Sequence, residues 1–321
     1  MKKKILILGV TGQDGSLMAE FLCKKKIMVY GLIRKSSNRN YNNLKNVINL
    51  KNFKLVNGDV LDVFSIERII KTIKPNEIYN FADQDHVRWS YQIPSYSFDI
   101  TASSVLKILE IIKNNNKKIK YFQPLSSNMY GNIKKAKLDE NEKFAPLSIY
   151  ALSKASASYI CEFYKNVFNL KIYGAIFFNH ESERRTSEYV TRKITKAVAR
   201  IFHKKQKKLY LGDITNKIDW GYARDYVEAA YNIMQLKDPN TFVIGTGKAY
   251  SIEYFVKKAF NYVGLNYKKY VLIDKKLIRK AKNKTLVANT SKAKKYFNFK
   301  AKTDLNQLIK IMLDNDLILE K

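Results

Sequence analysis

Two cysteines, Cys23 and Cys161, are all that this chain of 321 residues carries, and each sits in an apolar, helix-like context. They exclude a disulfide framework, and no metal-ligand spacing is present, so the expectation is a reducing compartment, the cytoplasm, and no metal. Long hydrophobic runs are missing as well. No stretch approaches the ~20 apolar residues that a membrane-spanning helix needs. The opening MKKKILILGV is basic and then apolar like a secretion signal, but Gln13 and Asp14 interrupt it before a cleavage site develops, and no membrane partner is expected. Internal repeats and disordered linkers are also absent. Acidic residues are scarce, 28 against 59 basic ones, for a net charge of +31. Such an excess can serve nucleic acid or an anionic surface. Here it is mostly lysine spread through the chain among abundant Asn, Ile and Tyr, the mix of AT-rich coding. Runs such as 204–208 and 275–284 therefore read as solvated faces, and nucleic-acid binding stays a remote alternative.

What is present is a core-forming chain, 46% hydrophobic, of one large domain or two. Residues 4–9 read as a buried parallel strand and residues 15–25 as the helix after it. Strands are also expected at 28–33, 53–56, 77–81, 121–125, 171–178, 208–211 and 241–244. Helices are expected at 63–73, 96–113, 150–168, 191–203, 225–236, 252–263 and 305–313, with a lysine-rich loop before the last. Alternation of this kind implies an α/β fold, a Rossmann-type doubly wound parallel sheet with a smaller α/β substrate-binding cap. The expected division is 1–178 plus about 221–246 for the dinucleotide-binding domain, and about 179–220 plus 247–321 for the cap. Ligands of such sheets bind at the carboxyl ends of the strands, where Asp59, Ala82 to His86, Ser126 and Asn179 to Arg185 all fall.

The segment between first strand and first helix is GVTGQDG, with Gly9, Gly12 and Gly15. Glycines there permit a tight turn, close approach of backbone to a pyrophosphate, and close packing of helix on strand. The second strand ends at Arg34, Lys35 and Ser36. An acid there would bind the ribose of NAD, whereas an arginine accommodates the 2′-phosphate of NADP, so Arg34 argues for NADP(H), with NAD as the alternative and a plain basic loop as the bland reading. Tyr150 and Lys154 are four apart, one helical turn on one face. A cation beside a phenol favours phenolate, which can take a proton from an alcohol, and Ser126 could hydrogen-bond the same alcohol. The pair also arises by chance on amphipathic helices.

Taken together, GVTGQDGS (9–16), EIYNFADQDHV (77–87), FNHESERR (178–185), VTRKIT (190–195), DWGYARDYVEA (219–229) and SKAKKYF (291–297) resemble the extended short-chain dehydrogenase/reductases and, within them, the GDP-mannose 4,6-dehydratases. The resemblance covers essentially the whole chain. It implies that Gly9, Thr11, Gly12, Gln13 and Asp14 hold a cofactor diphosphate, Arg34 the 2′-phosphate, and that Asp59 and Val60 flank the adenine. Phe81, Ala82 and Gln84 would line the nicotinamide side, with His180 and Arg185 near the cofactor. Asn179, Val190, Lys193 and Arg279 would face a nucleotide-sugar, Tyr150 would be the base and Lys154 its partner. Without the resemblance, Asn179 reads as a strand-end cap and His180 as a satisfied interior histidine.

The reaction so implied oxidises C4 of the sugar, removes the C5 proton while the C6 hydroxyl departs, and returns hydride to C6. Members of the family are commonly homodimers or homotetramers. The chain departs from the pattern where a Glu is expected: Asn128 follows Ser126 and Ser127, and a carboxamide does not cycle protons. Asp83 and Asp85 stand where the family has small residues, so that one of them replaces the missing carboxylate is an expectation set against plain loop hydrogen bonding. Ile218 replaces an Arg, while Lys280, Lys282 and Asn289 also depart, so the substrate expected is GDP-mannose-like rather than GDP-mannose itself. The alternative function is a C4 dehydrogenase, epimerase or reductase on a related GDP-sugar, without water elimination.

Overall fold

The computed structural model describes residues 3–35, 41–133, 135–278 and 285–321. Strand β1 (Lys4–Leu8) lies in the interior of the main sheet, and four of its five residues are fully buried. A strand buried on both faces has no polar side to alternate with, which is why its sequence is a continuous apolar run. It pairs in parallel with β2 (Met28–Ile33) on one side and β4 (Glu77–Asn80) on the other. With β3 (Phe53–Asn57), β5 (Lys120–Ser126), β6 (Lys171–Phe177) and β10 (Thr241–Ile244), the order is β10-β6-β5-β4-β1-β2-β3. The order reverses at β1, the switch point at which doubly wound sheets open a crevice beyond their strand ends.

Helix α1 (Gln13–Lys24) follows β1, α2 (Val63–Ile73) follows β3, and α6 (Ile149–Phe168) connects β5 to β6. After α3 (Val87–Gln92), the helix predicted over 96–113 appears as a longer winding of three parts. It opens with α4 (Pro94–Phe98), led by a proline whose missing N–H costs nothing in a first turn, and closes with α5 (Ser104–Asn115). Between them Asp99–Ser103 form a π turn, which periodicity does not report because side-chain spacing shifts by only one residue.

Clustering of contacts divides the chain into two units. The first comprises Met1–Ile133, Glu140–Phe177 and Val227–Val243 and carries the seven-stranded sheet; the second comprises Lys134–Asp139, Phe178–Tyr226 and Ile244–Lys321. In the second, β7 (Asn179–Glu181) lies parallel to β9 (Lys217–Tyr222), which pairs antiparallel with β11 (Ala249–Ser251). Strand β12 (Val271–Ile273) pairs with β8 (Leu209–Leu211), so the stretch expected as a lysine-rich loop contains a strand. Helices α7 (Val190–Phe202), α9 (Ile252–Tyr262) and α11 (Leu305–Leu319) close a core around Ile194, Trp220, Phe255, Phe260 and Met312. Helix α8 (Ala223–Gln235) precedes β10, and α10 (Ser291–Phe297) precedes α11. Among the described residues no helix is long and apolar enough to cross a membrane.

Candidate active site

The turn after β1 is as cramped as its glycines require. Gly9 has φ +74°, and a Cβ on it would stand 2.5 Å from the Phe81 carbonyl oxygen and 2.7 Å from the Ala82 nitrogen. A Cβ on Gly15 would lie 2.3 Å from the Gly9 oxygen, so no side chain fits at either position. Gly12 is the N-cap of α1 and places no side-chain cap over the first turn. Thr11 receives the Asn43 amide at its carbonyl, 3.0 Å, and Gln13 donates to the Asp14 carboxylate at 3.2 Å. A helix N-terminus opening on glycine, with backbone close enough for a pyrophosphate, fits a dinucleotide diphosphate.

Further residues expected at that cofactor lie around the same sheet edge. The guanidinium of Arg34, at the end of β2, donates to the Tyr96 hydroxyl at 2.9 Å. Asp59 follows β3 and accepts from the Leu61 N–H at 2.9 Å, next to the buried Val60. Gln84 is fixed at both ends: its amide donates to the His86 carbonyl at 3.1 Å and its oxygen accepts from Ser97 at 3.0 Å. The Gln84 N–H reaches Thr101 in the π turn at 3.4 Å, which gives that turn a task in holding the loop.

Beneath this edge runs a buried polar network that motif reading missed. Asn80 at the end of β4 donates to the Tyr121 hydroxyl at 2.8 Å and to Gln123 at 3.1 Å, while Tyr121 donates to Gln123 at 2.6 Å. Buried polar groups that satisfy one another specify a single arrangement of the strand ends. Gln123 also donates to the Pro124 carbonyl, the oxygen that receives the Lys154 ammonium at 2.9 Å. Pro124 is tolerated in a central strand because the pairing of β5 with β4 ends at Phe122.

Tyr150, Lys154 and Ser126 come together as expected from the sequence. Ser148 caps α6 by accepting from Ala151 at 3.1 Å, which puts Tyr150 in the first turn, at the end of the helix dipole that favours an anion. Lys154, one turn on, is buried with its nitrogen 5.9 Å from the centre of the Tyr150 ring. Ser126 ends β5 beside Tyr150, close enough to favour its ionised form. The Ser126 oxygen also accepts from the backbone N–H and the side-chain amide of Asn128, both at 3.2 Å. A hydroxyl has two acceptor sites and one proton. With both acceptor sites taken by Asn128, the proton of Ser126 is the function left to donate. Gly131, closing this turn at φ +60°, cannot carry a Cβ, which would meet the Ala145 carbonyl oxygen at 1.8 Å.

The carboxylate of Asp83 lies 2.5 Å from the Lys154 nitrogen. Burial pushes the Tyr150 phenol up to about 12; Lys154 and the Ser126 hydroxyl oppose the rise, and Asp83 and Asp85 add to it. Burial works against the charge on Lys154, but Asp83, Tyr150 and Asp85 outweigh it, and the ammonium is held above its usual range. Asp83 is raised, chiefly by burial, against the pull of Lys154. Asp85, on the same loop, is exposed.

In the second unit, β7 and β9 set FNHES beside DWGY, with His180 opposite Gly221. The His180 ring stacks on Tyr226 at 4.6 Å, and its Nδ1 lies 2.9 Å from the Phe178 carbonyl. Asn179 is exposed at the start of β7. The Arg185 guanidinium covers the Tyr189 ring at 3.3 Å, with Nε 3.4 Å from Glu181. Val190 opens α7; Lys193 donates to the Tyr210 carbonyl at 2.7 Å, and burial lowers its ammonium. Arg279, like Ser36, Lys280 and Lys282, lies outside the described residues.

Asp219 of the DWG motif, to which the sequence assigned no role, proves to be a structural clamp. It accepts from the N–H groups of Thr246, Gly247 and Ala288 at 2.9, 3.0 and 3.1 Å and from the Thr246 hydroxyl at 2.5 Å. Ala288 also bridges to Leu138, which brings the short segment 135–139 into this unit.

Comparison with known proteins agrees with this arrangement. The family model described as GDP-mannose 4,6 dehydratase matches residues 6–312. GDP-mannose 4,6 dehydratase 1 of Arabidopsis thaliana is 41% identical over 330 residues, covering 100% of this chain and 91% of the relative. Among solved structures, the fold matches UDP-glucose 4-epimerase of Thermotoga maritima bound to UDP-glucose, TM-score 0.87 at 22% identity over 99% of this chain and 100% of that one. It likewise matches dTDP-glucose 4,6-dehydratase of Bacillus anthracis in complex with NAD, TM-score 0.85 at 22% identity over 98% and 96%. With a tyrosine, lysine and serine gathered beyond β5, a glycine turn too close for side chains, and a family match along nearly its whole length, the chain belongs to the GDP-mannose 4,6-dehydratase family.

Proposed function

We propose that this protein is an NADP(H)-dependent 4,6-dehydratase that oxidises C4 of a GDP-mannose-like sugar and releases its C6 hydroxyl as water, giving a 4-keto-6-deoxy sugar. The observation that carries the reading is Tyr150 in the first turn of α6, beside Ser126 and one turn from the buried ammonium of Lys154. A nicotinamide dinucleotide held there would supply the hydride exchange between C4 and C6, which leaves the reaction redox-neutral. Tyr150 takes the C4 hydroxyl proton, Ser126 donates to the C4 oxygen, and Lys154 stabilises the phenolate. The dinucleotide belongs to the first unit, held by Gly9, Thr11, Gly12, Gln13, Asp14 and Gly15 at the diphosphate and by Asp59 and Val60 at the adenine. Arg34 at the end of β2 supports NADP over NAD. Phe81, Ala82 and Gln84 line its nicotinamide end, and the family resemblance assigns His180 and Arg185 to the cofactor as well. The nucleotide-sugar is assigned to Asn179, Val190 and Lys193.

Elimination needs a group that gives and takes a proton, and Asn128 does not. Asp83 is engaged by Lys154. We assign the proton transfers at C5 and C6 to Asp85, which stands two residues on in the same loop. Asp85→Asn then retains C4 oxidation and loses water release by ~10² or more, read as accumulation of a 4-keto sugar that still carries its C6 hydroxyl. The carboxamide at Asn128, bonded to Ser126, favours one second reading: a C4 dehydrogenase, epimerase or reductase that stops short of elimination.

The deciding experiment incubates the protein with GDP-mannose and NADP+ and weighs the product. Loss of one water is the expected result; loss of two hydrogens alone supports the dehydrogenase of the second reading, and an unchanged mass leaves epimerisation, a different substrate or an inactive enzyme. A homo-oligomer in the cytoplasm completes the proposal. Leu152, Tyr159, Phe163 and Val167 lie exposed along one stripe of α6, which a second copy of the chain would cover.

A further inference from the structure

Asp83 reaches the catalytic centre through Lys154. Its Oδ2 is 2.5 Å from the ammonium, which also donates to the Pro124 carbonyl at 2.9 Å. An ammonium has three donors, and two of these are committed to acceptors of the protein. A negative charge at that distance cancels much of the field by which Lys154 favours an anion on Tyr150. Among the described residues, the charged groups facing the centre come from three elements. They are Asp14 from the first turn of α1, Asp83 and Asp85 from the loop after β4, and Lys154 from α6. The Ser126 hydroxyl from the end of β5 is the neutral donor among them.

We propose that Asp83 is a positioning residue: its carboxylate anchors the Lys154 ammonium and withholds part of that charge from Tyr150, which sets the pH at which Tyr150 takes the substrate proton. The anchoring stands on the geometry of the free protein, and its catalytic consequence rests on the function proposed above. Removing the carboxylate returns the field of Lys154 to Tyr150. The sign is then fixed: a phenol with less negative charge near it ionises at lower pH, so the acid limb of the rate profile moves down.

The test uses protein labelled with 13C at the tyrosine ring carbon bearing oxygen, Tyr150→Phe identifying the resonance, without cofactor or substrate. In Asp83→Asn the Tyr150 titration should fall by at least ~1 pH unit, while Asp83→Glu, which keeps the charge, should retain the high midpoint. An unmoved midpoint in Asp83→Asn overturns the proposal. In turnover, the acid limb of kcat/KM should move in the same direction. Should the wild type leave GDP-sugars untouched while the ring-carbon shift is seen, the proposal stands and the dehydratase reading falls. If Asp83→Asn oxidises C4 but no longer releases water, with no shift in either profile, Asp83 carries the proton itself and the positioning role is wrong.

Discussion

Two carboxylates, Asp83, half-buried in the first unit, and Asp219, buried in the second, are held in opposite ways. Asp219 accepts three backbone N–H groups and a hydroxyl, all on fixed chain. Asp83 is held by one side-chain ammonium on another element. A carboxylate satisfied by backbone donors ties loops together and has nothing left to exchange. One satisfied by a catalytic lysine can alter the chemistry of that lysine. Burial pushes both up from the ordinary aspartate range, and so the direction of the shift alone does not distinguish them; the partners do.

Substitutions sharpen this contrast. The largest effect is expected at Tyr150, where Phe removes the group that both Lys154 and Asp83 act on. Turnover should fall by ~10²- to 10⁴-fold, with urea unfolding unchanged within error. A parallel loss of stability would mean that the centre is part of the fold as Asp219 is. Next comes Asp219→Ala, which strands the N–H groups of Thr246, Gly247 and Ala288 in the interior and should cost at least ~3 kcal/mol in the same unfolding measurement. Asp219→Asn keeps one acceptor oxygen and should lose less. If Asp219→Ala folded as stably as the parent, its donors would have to find other partners and the contrast would collapse. The smallest stability effect belongs to Asp83→Asn, no more than ~2 kcal/mol, because the amide oxygen still accepts from Lys154. Its signature is the shift in pH dependence.

Much of the first unit was legible before any contact was known. Buried parallel strands betray themselves as apolar runs, and the strand at 241–244 and the helix at 63–73 have the bounds that pattern alone gives. Gly9, Gly12 and Gly15 announced a turn that no side chain can occupy. The pairing of Tyr150 with Lys154 follows from helical spacing, since residues four apart share a face wherever the helix lies. The second unit was less legible: β7, β9 and β11 are three to six residues long and owe their pairing to closure by distant segments. The role of Asp219 was hidden for the same reason, as its donors arrive from residues 246, 247 and 288.

The sequence by itself therefore determined the alternating α/β architecture, the dinucleotide turn, the Tyr150 and Lys154 pair and the substitution of Asn128 for a carboxylate. These are matters of residue type and local spacing, which the chain carries wherever it goes. Only the tertiary structure decided that the side chain of Asn128 binds Ser126, that Asp83 takes the ammonium of Lys154, and that Asp219 serves the backbone. A carboxylate acquires its role from the donors that folding brings to it, and for Asp83 and Asp219 alike those donors lie on a distant stretch of chain.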